Sequence, residues 1–143
     1  MERPLIAVAV VAVALVVAWL VQRRRPEAPT GGRWSVPGQL DRADFPAPGT
    51  PWLVAVFTSA TCDACAATVT KAEALTSPSV AVAEVELGSE PELHRRYGID
   101  AVPLLVLADA EGVVRASFVG PPSATDLWAA VADIRDGAPP QET

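Results

Sequence analysis

Cysteine and histidine are scarce in this chain. There are two cysteines, Cys62 and Cys65, and one histidine, His94, among 143 residues. A structural zinc centre needs four such ligands, or three and a water, so these three residues do not supply a closed one. His94 falls on a short helical stretch far from the cysteines in sequence and is expected to be an exposed helix residue. Basic side chains are also few where a nucleic-acid surface would need them. Beyond Arg25 the chain has seven Lys and Arg against sixteen Asp and Glu, a net charge of about −9, with no basic cluster. That surface repels nucleic acid and anionic lipid, and no nucleic-acid partner is expected. No internal repeat is visible, and the length allows one domain plus a tail or an anchor.

What the chain has in quantity is hydrophobic residues near its start. Leu5 to Val21 is an unbroken apolar run of 17 residues without charge. As a helix it would reach about 25 Å, nearly the thickness of the hydrocarbon core. Pro4 and Gln22 extend it, and Arg23 to Arg25 can snorkel to the headgroups. Such a run leaves no polar face for a soluble helix. A cleaved leader would begin basic and end on small residues. Here the start is Met1-Glu2-Arg3 and the end is Gln22-Arg23-Arg24-Arg25-Pro26. We therefore expect a retained single-pass anchor over residues 1–25, held in a lipid bilayer through residues 5–21. The arginine flank tends to stay cytoplasmic, which places the remainder of the chain on the cytoplasmic face.

Residues 26–35 are rich in Pro, Gly and polar side chains and read as a linker. A short strand is expected over 36–40, then a helical turn near 41–45. Trp52 to Phe57 is apolar throughout, as suits a strand buried on both faces. A helix should open at Thr61 or Cys62, with Cys65, Val69, Ala72 and Thr76 on one face, and Ser77-Pro78 should stop it. Val80 to Leu87 is the next strand. Ser89 and Glu92 have capping-box spacing before a short helix to Tyr97, which Gly98 closes. Leu104–Ala108 and Val113–Val119 read as a hairpin across Asp109-Ala110-Glu111-Gly112. Ser123 and Asp126 open a final helix that ends at Gly137, leaving 138–143 as a tail. The order β-α-β-α-β-β-α predicts an α/β domain over 36–137: a mixed sheet flanked by helices.

In a strand–turn–helix setting, a Cys-x-x-Cys pair can serve several ends. Two buried small residues are one. Two ligands for a soft metal are another: the segment TCDACAATVTKAEAL is similar to the Thr-Cys-x-x-Cys stretch of heavy-metal-associated domains, which bind Cu(I). That family implies a βαββαβ order ending in a strand. A redox pair is the third. Cys62 at a helix N-terminus would have its thiolate favoured by unpaired N–H groups and the helix dipole. Cys65, one turn later, would face the sheet within disulfide reach.

The segment YGIDAVPLLVLADAEGVVRASFVG bears on the choice. Tyr97-Gly98-Ile99, Val102-Pro103, Gly112 and Gly120, spaced from the cysteines as they are, resemble the thioredoxin family over about residues 36–137. The resemblance implies a thioredoxin-like fold with Cys62 and Cys65 as catalytic redox cysteines. It implies a cis Val102–Pro103 bond and a proline packed by the disulfide. The backbone of Val102 would be offered to an extended client segment by strand addition. It implies no organic cofactor and no metal. Partners would be client protein disulfides or thiols near the membrane, and a separate electron donor. The family's anchored bacterial members often face outward, the alternative to the cytoplasmic placement. This chain departs from the pattern by Thr61 before the first cysteine and by Asp63-Ala64 between the two. Asp63 sets a negative charge beside Cys62 and opposes thiolate formation, which favours a reducing pair over a strong oxidant. Val56 stands where the family has a buried aspartate, and Glu84 on the neighbouring strand is the candidate proton relay for Cys65. The functional expectation is a membrane-tethered thiol–disulfide oxidoreductase. A Cu(I)-binding module and a redox-inactive adaptor are the alternatives.

Overall fold

The apolar run that begins at Trp52 becomes strand β1 (Trp52–Thr58), buried in every residue but the first. In the computed structural model, which describes residues 11–17 and 34–137, β1 lies inside a four-stranded sheet of order β2-β1-β3-β4. β2 (Val80–Glu86) runs parallel to β1, with Val56 opposite Glu84. A parallel neighbour needs a crossover, which α1 (Cys65–Glu73) provides. β3 (Leu104–Ala108) and β4 (Val114–Val119) form the hairpin on the other side, each antiparallel to its neighbour. α2 (Pro91–Arg96) and α3 (Ala124–Arg135) complete the order.

Strand alternation divides the core in two. Leu53, Ala55 and Phe57 face a cluster with Leu104, Val106, Val85, Leu40 and Phe45, against which Leu93, Tyr97 and Ile99 pack. Val54 and Val56 face the other way, onto Ala72 and Leu75 at α1 and Leu127 and Val131 of α3. β1 is apolar on both faces because both faces are covered.

The hairpin turn approaches the N-terminal segment closely. Leu40 N–H donates to the Gly112 carbonyl at 2.8 Å. Gly112 has φ +81°, and a Cβ there would overlap the Leu40 carbonyl. Asp109 organises the same turn: its carboxylate accepts from the N–H groups of Val113 (2.9 Å) and Glu111 (3.1 Å) and from Arg115 Nε (2.7 Å). Buried Arg42 donates to the carbonyls of Asp109 and Thr50, both at 3.0 Å.

Several local expectations are corrected. Residues 36–40 form no strand, only a single bridge from Gln39 to Val113. Pro37 lacks a donor and cannot extend a ladder. The helical turn expected near 41–45 is present, as a 3-10 turn at Arg42–Asp44 capped by the Asp41 side chain. The capping box at Ser89 does not form. Ser89 turns back instead, its N–H and hydroxyl each 2.9 Å from the Glu86 carboxylate. Glu90 becomes the N-cap without a side-chain bond, and Pro91 opens the helix, where its missing N–H costs nothing. α1 stops at Glu73, so Thr76 lies outside it. Gly98 (φ +63°) takes the left-handed form expected of it, and Ser123 caps α3 by accepting from Asp126 N–H at 3.0 Å.

Residues 11–17 are helical. The rest of the apolar run at 5–21, its arginine flank, nearly all of the 26–35 linker and the 138–143 tail lie outside the described residues. Among the described residues no helix is long and apolar enough to cross a membrane.

Candidate functional site

β1 and β2 are parallel and end together, and β3 starts at that same end, Phe57 pairing with Leu104. Three loops therefore meet at one rim of the sheet: 59–64 after β1, 87–90 after β2 and 98–103 before β3. The chain leaves β1 through tight turns, with Cys62 N–H on the Ser59 carbonyl at 3.2 Å and Cys65 N–H on the Cys62 carbonyl at 3.3 Å. Cys62 and Cys65 are joined in a disulfide, their Cα atoms 5.5 Å apart. Cys62 is half-buried, while Cys65 is 4% exposed. One cysteine is thus reachable and the other shielded.

The helix starts at Cys65, later than the expected Thr61 or Cys62. Ala64 is its N-cap and offers no side-chain acceptor, and neither Thr61 nor Asp63 occupies the capping position. Cys62 stands before the first turn, where the helix dipole acts weakly. Asp63 is exposed beside it. Thr68, fully buried, bonds its hydroxyl to the Ala64 carbonyl at 2.9 Å and steadies the first turn of α1.

The Val102–Pro103 peptide is cis. Pro103 is buried and Val102 half-buried. Because Leu104 is opposite Phe57, Pro103 sits just past the ladder, at the rim where the cysteine turn begins. Gly120, at φ +86°, donates its N–H to the Pro103 carbonyl at 2.8 Å. The loop after β4 thereby reaches the same rim. Lys71 of α1 donates to the Pro122 carbonyl in that loop at 2.9 Å. Sequence reasoning missed this bond, since nothing local pairs positions so far apart.

Glu84 is exposed on β2, on the face that α1 covers, as its pairing with Val56 requires. Its carboxylate accepts from the Thr58 hydroxyl at 2.8 Å. Thr58 is the one polar residue of β1, 1% exposed, and it was not singled out. A lone hydroxyl ending an apolar strand is the signal that could have found it. Two strand residues onward, Glu86 has its carboxyl held below the usual range by the Gly88 N–H and by the hydroxyl and N–H of Ser89.

His94 is corrected most. It is 4% exposed, with ring Nε2 2.9 Å from the Val85 carbonyl and the ring edge-on to Phe57, centroids 5.4 Å apart. α2 is short and lies against the sheet, so its middle residues turn inward. Among the described residues no group of three His, Cys, Asp or Glu is placed to hold a metal. Among the described residues the last elements are a hairpin and a helix, whereas the heavy-metal-associated order has a helix and a strand there.

No protein-family model matches the chain, and no curated protein matches it. Solved structures do. One, a malarial protein, is 21% identical, with TM-score 0.53 over 59% of this chain and 97% of that one. The thioredoxin of Fasciola hepatica is 26% identical, TM-score 0.51, over 57% of this chain and 79% of that one. The germline-specific thioredoxin Deadhead of Drosophila melanogaster is 22% identical, TM-score 0.54, over 62% and 85%. The fold is thioredoxin-like, and a close cysteine pair on that fold fits thiol–disulfide exchange.

Proposed function

We propose that this chain is a membrane-tethered thiol–disulfide oxidoreductase that reduces client proteins. The observation that supports it most is the Cys62–Cys65 disulfide, one cysteine reachable and one shielded, at the rim that also holds Pro103. In the reduced form the Cys62 thiolate attacks one sulfur of a client disulfide. The other client sulfur leaves as a thiolate and takes a proton from water. Cys65 then loses its proton, with Glu84 as the base, and its thiolate attacks Cys62 Sγ. The client's second sulfur leaves, and the Cys62–Cys65 disulfide remains. Two electrons from a separate dithiol donor restore the pair. Val102 lends its backbone to the extended client segment, and Pro103 shapes that surface. Asp63 disfavours the Cys62 thiolate and keeps the pair reducing.

The tether is the apolar run at 5–21, and the arginine flank favours a cytoplasmic domain. Anchoring raises the effective concentration of clients at the membrane.

Trapping tests the assignment of the two sulfurs. Cys65→Ser should accumulate a mixed disulfide between Cys62 and a client, visible on a non-reducing gel, and Cys62→Ser should accumulate none. Equal trapping by both variants, or no reduction of any disulfide by the wild type, would refute it.

A further inference from the structure

The chain contains a single lysine, Lys71. It stands in the last turn of α1, the helix that Cys65 begins. Its ammonium donates to the Pro122 carbonyl at 2.9 Å, and among the described residues it makes no ion pair. Pro122 is buried. Residues 120–122 are Gly-Pro-Pro, so Gly120 has the loop's one backbone N–H, and that N–H is on the Pro103 carbonyl at 2.8 Å. The loop is therefore fastened at each end by one hydrogen bond. One leads to the helix that holds the shielded cysteine, the other to the residue beside Val102.

We propose that Lys71 is a positioning residue for client docking, holding loop 120–122 so that Gly120 keeps its grip on Pro103 and the Val102 backbone edge stays fixed relative to Cys62. This rests on the oxidoreductase reading above. The residue type suits the task. One carbonyl is a single acceptor, and a compact ammonium on a flexible stem meets it without the planar fork an arginine brings. Without the ammonium, the Pro122 carbonyl exchanges its protein donor for water and the loop loses one of its two fastenings. A charge-assisted bond of this kind is among the stronger single contacts a loop can make.

Lys71→Met, which keeps the apolar stem and removes the donor, and Lys71→Arg, which keeps a cation, test this in the full chain. The first readout is amide hydrogen exchange at Gly120, which needs no activity. We expect Lys71→Met to speed it by about tenfold, Lys71→Arg to restore most of the protection, and Val106 in the sheet centre to be unaffected. The second readout is reduction of a disulfide-containing peptide, where Lys71→Met should raise KM with kcat little changed. Unchanged Gly120 exchange overturns the proposal. So does equal acceleration at Gly120 and Val106, which would mean a loss of overall stability. A selective rise at Gly120 with no change in KM overturns the docking role. A wild-type chain that reduces nothing refutes the oxidoreductase reading and the docking role with it, while the exchange result still reports on the fastening.

Discussion

Reducing the Cys62–Cys65 disulfide should lower the stability of the domain by about 2 kcal/mol. The bond closes a loop of four residues, and the chain-entropy relation assigns a loop that small roughly 2 kcal/mol of restraint on the unfolded chain. The reduced state could recover this only by stabilising a Cys62 thiolate. The structure gives it little means to do so. The helix begins at Cys65 rather than at Cys62, its N-cap Ala64 contributes no side chain, and residues 59–64 contain no cation and one carboxylate, Asp63. Folding should therefore favour the disulfide, shifting the pair by about 40 mV towards reducing power relative to the unfolded chain, at 30 mV per 1.4 kcal/mol. Urea unfolding of the oxidised protein and of the protein held reduced by a phosphine measures the difference. A reduced form as stable as the oxidised one, or more so, would mean a stabilised thiolate and an oxidising pair. The argument from the late helix start and Asp63 would then be wrong.

Two further substitutions test other parts of the account. Asp109→Ala should destabilise the domain by about 3 kcal/mol, since it strands two amides of the hairpin turn and the Arg115 guanidinium. Burial alone would raise the Asp109 carboxyl, but hydrogen bonds from Arg115 and from the Val113 and Glu111 amides outweigh it and hold the group below the ordinary range. Its contribution is thus complete above the usual aspartate range and is lost as pH falls through the lower folded-state value. The urea midpoints of wild type and Asp109→Ala should converge on acidification, and a widening gap would contradict this. Glu84→Gln should slow the resolution of a mixed disulfide, by at most about a hundredfold for an exposed base. An unchanged rate in a stopped-flow measurement removes Glu84 from the mechanism.

The four strands of the sheet were legible because apolar runs and turn residues bracket them, as at Trp52–Thr58 and at the Asp109–Gly112 turn, whereas the strand expected over 36–40 had Pro37 inside it and did not form. The rim was legible through Cys62, Cys65, Val102 and Pro103, where the resemblance was densest. Of the helix starts, only that of α3 was legible, through Ser123 and Asp126; those of α1 and α2 were not. Ser89 had the spacing of a cap, but a carboxylate at Glu86 competed for the same donors and won. His94 was misjudged because a six-residue helix shows too little periodicity to say which face turns inward. Thr58 with Glu84, and Lys71 with Pro122, are pairings made by the fold across long stretches of chain, and neither partner advertises the other.

β2 is an outer strand of the sheet, so one side of its backbone has no neighbour within the four strands. An exposed outer strand invites another chain to pair with it and grow the sheet. The carboxylates at Glu84 and Glu86 stand on that strand, and any newcomer would have to strip water from them. The same two residues that border the redox rim thus act as sentries against aggregation, and replacing both with apolar side chains would turn a guarded border into an adhesive one.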